Sequence, residues 1–75
     1  MKYRRLDELG VNISSKVVAL ENQGSIRRRL QDMGIIEGTT IKCLFHSPFN
    51  EPTAYEVRGT VIGLRKEDAK LIVIE

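Results

Sequence analysis

A mainly β fold, a small barrel of about five strands with one inserted short helix, is what this sequence predicts. Three observations lead there. β-rich runs at Lys16–Leu20, Thr40–Ser47, Ala54–Arg58 and Leu71–Ile74 are separated by glycine, proline or polar turns. Ser25–Met33 is the one stretch whose apolar residues repeat at a clear helical spacing. Strands this short leave costly edges unless the sheet bends round on itself, so a barrel is favoured over an open antiparallel sheet with one helix packed on it.

Taken in order, Leu6 and Leu9 with Asp7 and Glu8 predict one helical turn stopped by Gly10. Lys16–Leu20 is the first strand, and Glu21-Asn22-Gln23-Gly24 is a polar lead into the helix. Within SIRRRLQDMGIIEGTT, Ile26, Leu30 and Met33 fall at i, i+4 and i+7, one helix face. Ser25 stands where an N-cap hydroxyl would accept an orphan N–H of the first turn. Gly34 follows the last periodic residue and can take the left-handed C′ conformation that stops a helix. Glu37-Gly38 reads as a turn, after which Thr39, Thr40 and Ile41 begin an extended run.

Strand alternation then points Ile41, Cys43 and Phe45 one way, and Lys42, Leu44 and His46 the other. Both prolines, Pro48 and Pro52, lie in a loop, because proline cannot serve a central ladder. Tyr55 and Val57 share a face. After Gly59 the candidate core residues are Ile62 and Leu64, a change of parity that predicts a bulge or sharp bend at the glycine. Arg65–Lys70 predicts one helical turn. Leu71–Ile74, apolar on both faces, predicts an enclosed strand. A small SH3-like barrel is the architecture these elements fit.

The 75 residues predict one domain with a small core and a net stability on the order of 4–11 kcal/mol. Twelve basic and 10 acidic residues give a net charge of +2 with the signs mixed, too mild to imply a nucleic-acid or anionic-membrane partner. The single cysteine excludes an internal disulfide and fits a reducing compartment, the cytoplasm. The basic start has no apolar stretch behind it, so no signal peptide is expected, and no run is long enough to span a bilayer.

The segments RRRLQDMGIIEGTTIKC, Pro48, Val57-Arg58-Gly59 and IGLRKEDAKLIVI together resemble the FeoA family of bacterial ferrous-iron transport accessories. Leu30, Met33, Gly34, Gly38, Gly59, Leu64, Arg65, Ala69, Ile72 and Ile74 carry the resemblance, which covers roughly Val17 onward. The front of the chain, around Val11-Asn12-Ile13-Ser14, departs from the pattern. The resemblance implies an SH3-like barrel that assists or regulates a membrane ferrous-iron permease by binding its cytosolic, GTPase-bearing part. The chain would then meet a membrane only through that partner. A similar module ends some iron-dependent repressors, but no winged-helix segment stands ahead of it here.

Candidate sites are few. Arg27 and Arg28, within the run Arg27-Arg28-Arg29, could pair with an acidic partner surface, although successive helix positions do not share a face and a solvated helix surface explains them as well. Phe49, at the tip of the proline loop, could anchor a partner or fold back over the barrel mouth. Cys43 and His46 are the soft metal-ligand candidates, with Glu51 a further carboxylate. Three apart in a strand, Cys43 and His46 should face opposite sides, so no metal site and no cofactor is expected. No nucleophile, base and orienting acid form a suggestive set, and Gly34-x-x-x-Gly38 lacks the ending of a phosphate loop, so no catalysis is expected. The alternatives to a transport accessory are a small nucleic-acid-binding barrel and a transition-metal sensor. Four aromatic residues without a tryptophan offer little for stacking bases or reading polyproline, and self-association through an open edge is expected to be weak at most.

Overall fold

The computed structural model describes residues 3–46 and 52–75. In chain order these form β1 (Arg4–Arg5), a 3-10 turn (Leu6–Glu8), β2 (Ser14–Leu20), α1 (Gly24–Asp32), β3 (Thr40–Phe45), β4 (Thr53–Val57), β5 (Thr60–Leu64), α2 (Lys66–Ala69) and β6 (Ile72–Ile74). The six strands make one sheet in the order β1-β6-β2-β3-β4-β5, with every pairing antiparallel. The sixth strand, beyond the five expected, is β1, whose two residues carry no apolar signal to announce it.

Curvature comes from β2. Its first half, Ser14–Lys16, pairs with β3, and its second half, Val17–Leu20, pairs with β6 across a register shift between Val17 and Ala19. One bent strand thus serves two parts of the sheet, and the enclosed space takes Leu6, Leu9, Val17, Leu30, Ile35, Ile41, Tyr55, Val57, Leu64, Ala69, Ile72 and Ile74. β6 is buried along its whole length, as its unbroken apolar run requires.

Helix α1 docks by its C-terminal half. Leu30 is buried and Met33 packs at the core edge, but Ile26 is 43% exposed, contrary to the expected three-residue stripe. The start also differs: Gln23 is the N-cap, without a side-chain cap bond, and Ser25 lies inside the helix. The reason is Gly24, whose φ of +67° lets the chain turn into the helix before Ser25 is reached. Gly34 closes the helix at φ +96°, and Ile35 N–H returns to the Leu30 carbonyl at 3.0 Å. A Cβ at Gly34 would also stand 3.4 Å from the Arg58 side chain and 3.7 Å from that of Val57. Gly34→Ala should therefore cost about 1–2 kcal/mol, read as a lower urea midpoint with an unchanged slope.

The parity change after Gly59 needs no bulge. Arg58 and Gly59, at φ 52° and 80°, form a two-residue hairpin that pairs Val57 with Thr60, and the β4–β5 register then runs unbroken to Thr53↔Leu64. A two-residue loop by itself puts odd-numbered residues of one strand opposite even-numbered residues of the next. Tyr55 thus faces Ile62 with no irregularity in the ladder.

Candidate functional site

The end of β3 overturns the expected alternation. Cys43 pairs with Tyr55, but Phe45 pairs with Ala54, so Leu44 is an extra residue bulged out of the ladder. From Phe45 on, every side chain changes face. Phe45 is 55% exposed rather than in the core, and His46 comes back to the side of Cys43. Cys43 Sγ and His46 Nε2 lie 3.7 Å apart, so the two residues expected on opposite faces meet. His46 Nε2 is also 3.1 Å from the Leu9 carbonyl, tying the end of β3 to the segment after the 3-10 turn.

One tetrahedral zinc could span that pair, since bonds of about 2.3 and 2.0 Å at the tetrahedral angle separate sulfur and nitrogen by about 3.5 Å. A resident site needs three or four convergent ligands, and among the described residues no group of three or more His, Cys, Asp or Glu side chains comes together. Among the described residues, Cys43 and His46 alone do not complete a resident zinc centre. Glu51, the further carboxylate candidate, lies outside the described residues, as does Phe49. Burial also works against the thiolate a metal would need: it raises the pKa of Cys43. Behind Cys43, burial first, then the charges of Cys43 and Asp7, push the Tyr55 phenol well above its usual range, while its hydroxyl lies 3.5 Å from the Leu6 carbonyl.

The arginine run divides by function. Arg27 Nη1 donates to the Leu20 carbonyl and, at 3.5 Å, to the Asn22 carbonyl, closing the backbone between β2 and α1. Asn22, read from sequence as part of a polar lead, is buried and donates Nδ2–H to the Asp68 carbonyl at 3.0 Å, which joins that segment to α2. No residue spacing signals this contact, because its acceptor is a backbone group 46 positions away. Arg28 is exposed, and among the described residues no hydrogen bond or ion pair holds its side chain. Arg29 lines a shallow groove with Ile26, Arg65, Glu67 and Asp68, which brings helix α1 beside α2. The side chains of Arg65 and Glu67 are 3.9 Å apart and about three-quarters exposed, so their mutual hold is weak. The groove thus sets an exposed isoleucine among two guanidinium groups and two carboxylates, a mixed-charge rim around an apolar centre able to receive an apolar side chain with polar neighbours of both signs.

Among the described residues, no helix is long and apolar enough to cross a membrane. A strongly bent, six-stranded antiparallel sheet wrapped on a small core, with one short helix inserted between β2 and β3, defines a barrel of the SH3-like class. Within that class the match is specific: the FeoA domain model covers residues 4–75, and the chain belongs to the FeoA family. An Fe(2+) transport protein A/Fe(2+) transporter FeoB fusion protein of Porphyromonas gingivalis is 34% identical over 71 residues, which is 95% of this chain and 8% of that protein. The chain therefore spans only a small part of this curated relative's length, and the family connection to ferrous-iron transport is what the match carries. Among solved structures, a FeoA-like protein from Clostridium acetobutylicum is 35% identical with a TM-score of 0.86, over 100% of this chain and 87% of that one. FeoA from Stenotrophomonas maltophilia, complexed with zinc and described as a procaryotic SH3 domain protein, is 28% identical with a TM-score of 0.83, over 95% and 88%.

Proposed function

We propose that this chain is a non-enzymatic, cytoplasmic accessory of ferrous-iron uptake that acts by binding the cytosolic, GTPase-bearing part of a ferrous-iron permease. The observation that carries the reading is the Porphyromonas gingivalis fusion, in which a segment similar to 95% of this chain shares one polypeptide with a ferrous-iron transporter. Covalent linkage raises the effective concentration of two modules toward the millimolar range, so a modest affinity suffices in the fused protein. Separate chains need a contact surface of their own.

The α1–α2 groove, with Ile26, Arg29 and Arg65, together with Arg28 exposed on the same helix, supplies the surface we assign to that contact. Arg27 contributes by holding the base of α1 rather than by reaching the partner. The test is an amide NMR titration with the GTPase domain, with and without nucleotide. Saturable shifts at Ile26, Arg28, Arg29 and Arg65 are expected, and Arg28→Glu should weaken binding about tenfold, or 1.4 kcal/mol. Shifts absent at high partner concentration, or confined to the opposite side of the barrel, would overturn the assignment. The same titration with RNA should move nothing; saturable shifts that weaken steeply with salt would favour the nucleic-acid-binding alternative instead.

A further inference from the structure

The two edges of the sheet are unlike. β1 is two residues long and carries two arginines, both devices that discourage another strand from pairing there. β5 is five residues long, reads Thr60-Val61-Ile62-Gly63-Leu64, and has neither a charge nor a proline. It is the last strand of the sheet, hydrogen-bonded on one side only, to β4.

The hairpin register decides which groups point outward. A two-residue hairpin closes on a pair that exchanges both N–H···O bonds, and such pairs recur at every second position. Here these are Val57↔Thr60, Tyr55↔Ile62 and Thr53↔Leu64. The N–H and C=O groups of Val61 and Gly63 therefore point away from β4. Among the described residues nothing receives them.

Side chains along the edge complete the pattern. Val61 is 62% exposed, the most exposed large hydrophobic side chain among the described residues. Two positions on, Gly63 has no side chain, and a Cβ there would stand 3.4 Å from the Pro52 ring. An antiparallel strand laid on β5 with its own valine opposite Gly63 would meet no side chain from the glycine itself and would lie beside Pro52. The strand that offers a valine at that spacing from a glycine, with no charge to repel across a twofold axis, is β5 itself.

We infer that β5 is a self-pairing edge, joining two copies of this chain antiparallel with Val61 opposite Gly63 of the second copy and Ile62 opposite Ile62. The register is symmetric about Ile62 and uses every outward backbone group: Val61 and Gly63 each exchange both hydrogen bonds with their counterparts. Ile62, packed at the core edge, meets its twin on the other face. Two five-residue strands bury less than the roughly 1,200 Å² of a standard-size interface, so the dimer is weak and reversible.

The experiment is a concentration series from micromolar to millimolar, followed by sedimentation equilibrium and amide NMR. The expected result is a mass that climbs toward two chains. Amide exchange at Val61 and Gly63 should slow with concentration while Ile62, already bonded to β4, stays unchanged. Val61→Lys, which adds a charge at an exposed position, should keep the folded amide spectrum and remain a monomer across the series. A constant monomer mass at millimolar concentration would overturn the inference. So would association that persists in folded Val61→Lys, or protection that builds on β1 instead. The wild-type exchange pattern decides the matter without any variant.

Discussion

Leu30→Ala is expected to lower stability by about 2–5 kcal/mol, the range for truncating a buried leucine. Leu30 is 1% exposed and is the one fully buried residue of α1. Ile26, which a longer apolar stripe would have added, faces solvent, so nothing else on the helix compensates. The remaining attachments are Met33 at the core edge, Arg27 on the Leu20 carbonyl, and the turn behind Gly34 that returns the buried Ile35 to the Leu30 carbonyl. A chain with only about 4–11 kcal/mol in total would then lose a large share of its stability. Urea titration measures the loss directly. A decrease under about 1 kcal/mol would show that the helix is held by its backbone contacts rather than by the core. Ile26→Ala, exposed on the same helix, should cost only a few tenths of a kcal/mol and serves as the control.

The second large effect is alkaline. Cys43 and Tyr55 are both buried and pair across β3 and β4, and burial raises both pKa values. In the unfolded chain the two groups lose their protons from 9.0 and 10.0, whereas the native chain keeps them. The stability is therefore complete below about pH 9 and is lost as the pH rises, by up to about 1.4 kcal/mol per pH unit for each group that ionises only on unfolding. Thermal melts between about pH 8 and about pH 11 should show a falling midpoint. Cys43→Ala should remove the earlier part of the fall and Tyr55→Phe the later part. A flat midpoint across that range would mean that water reaches the phenol and the thiol in the folded state.

The glycine-punctuated half of the fold was legible because its signals are local. Gly34 and Gly38 need positive φ, at 96° and 89°, and a glycine in the right place is enough to read a helix stop and a turn. Ile72–Ile74 is buried on both faces, and three successive apolar residues say as much. Leu64 and Leu30 likewise lie in the core where their spacing puts them. The Cys43–His46 contact was not legible, because one bulged residue, Leu44, reverses everything after it and no residue type marks the bulge. Asn22 was hidden for another reason: a buried amide with a distant carbonyl partner resembles a loop asparagine until the tertiary structure brings α2 to it. Arg27 and Arg28 looked alike in sequence. A difference of one position sends one back to the chain and leaves the other exposed to solvent.

The position of β6 has a consequence for how the molecule comes into being. Strands β1 and β2 do not touch each other as neighbours; β6 lies between them, pairing Arg4 with Ile74 on one side and Val17 with Ile74 on the other. On a ribosome, Arg4 emerges long before Ile74. Until the latter appears, β1 and the second half of β2 have no pairing partner, and Leu6, Leu9 and Val17 wait without the cover of β6. The β3–β4–β5 meander, made from successive hairpins, can form first. Closure then depends on a loop of about seventy residues, whose entropy must be met before the contacts repay it. The barrel is a structure that locks last, from its far end. Truncation by even the three residues of β6 should leave a partly assembled chain rather than a slightly weaker barrel.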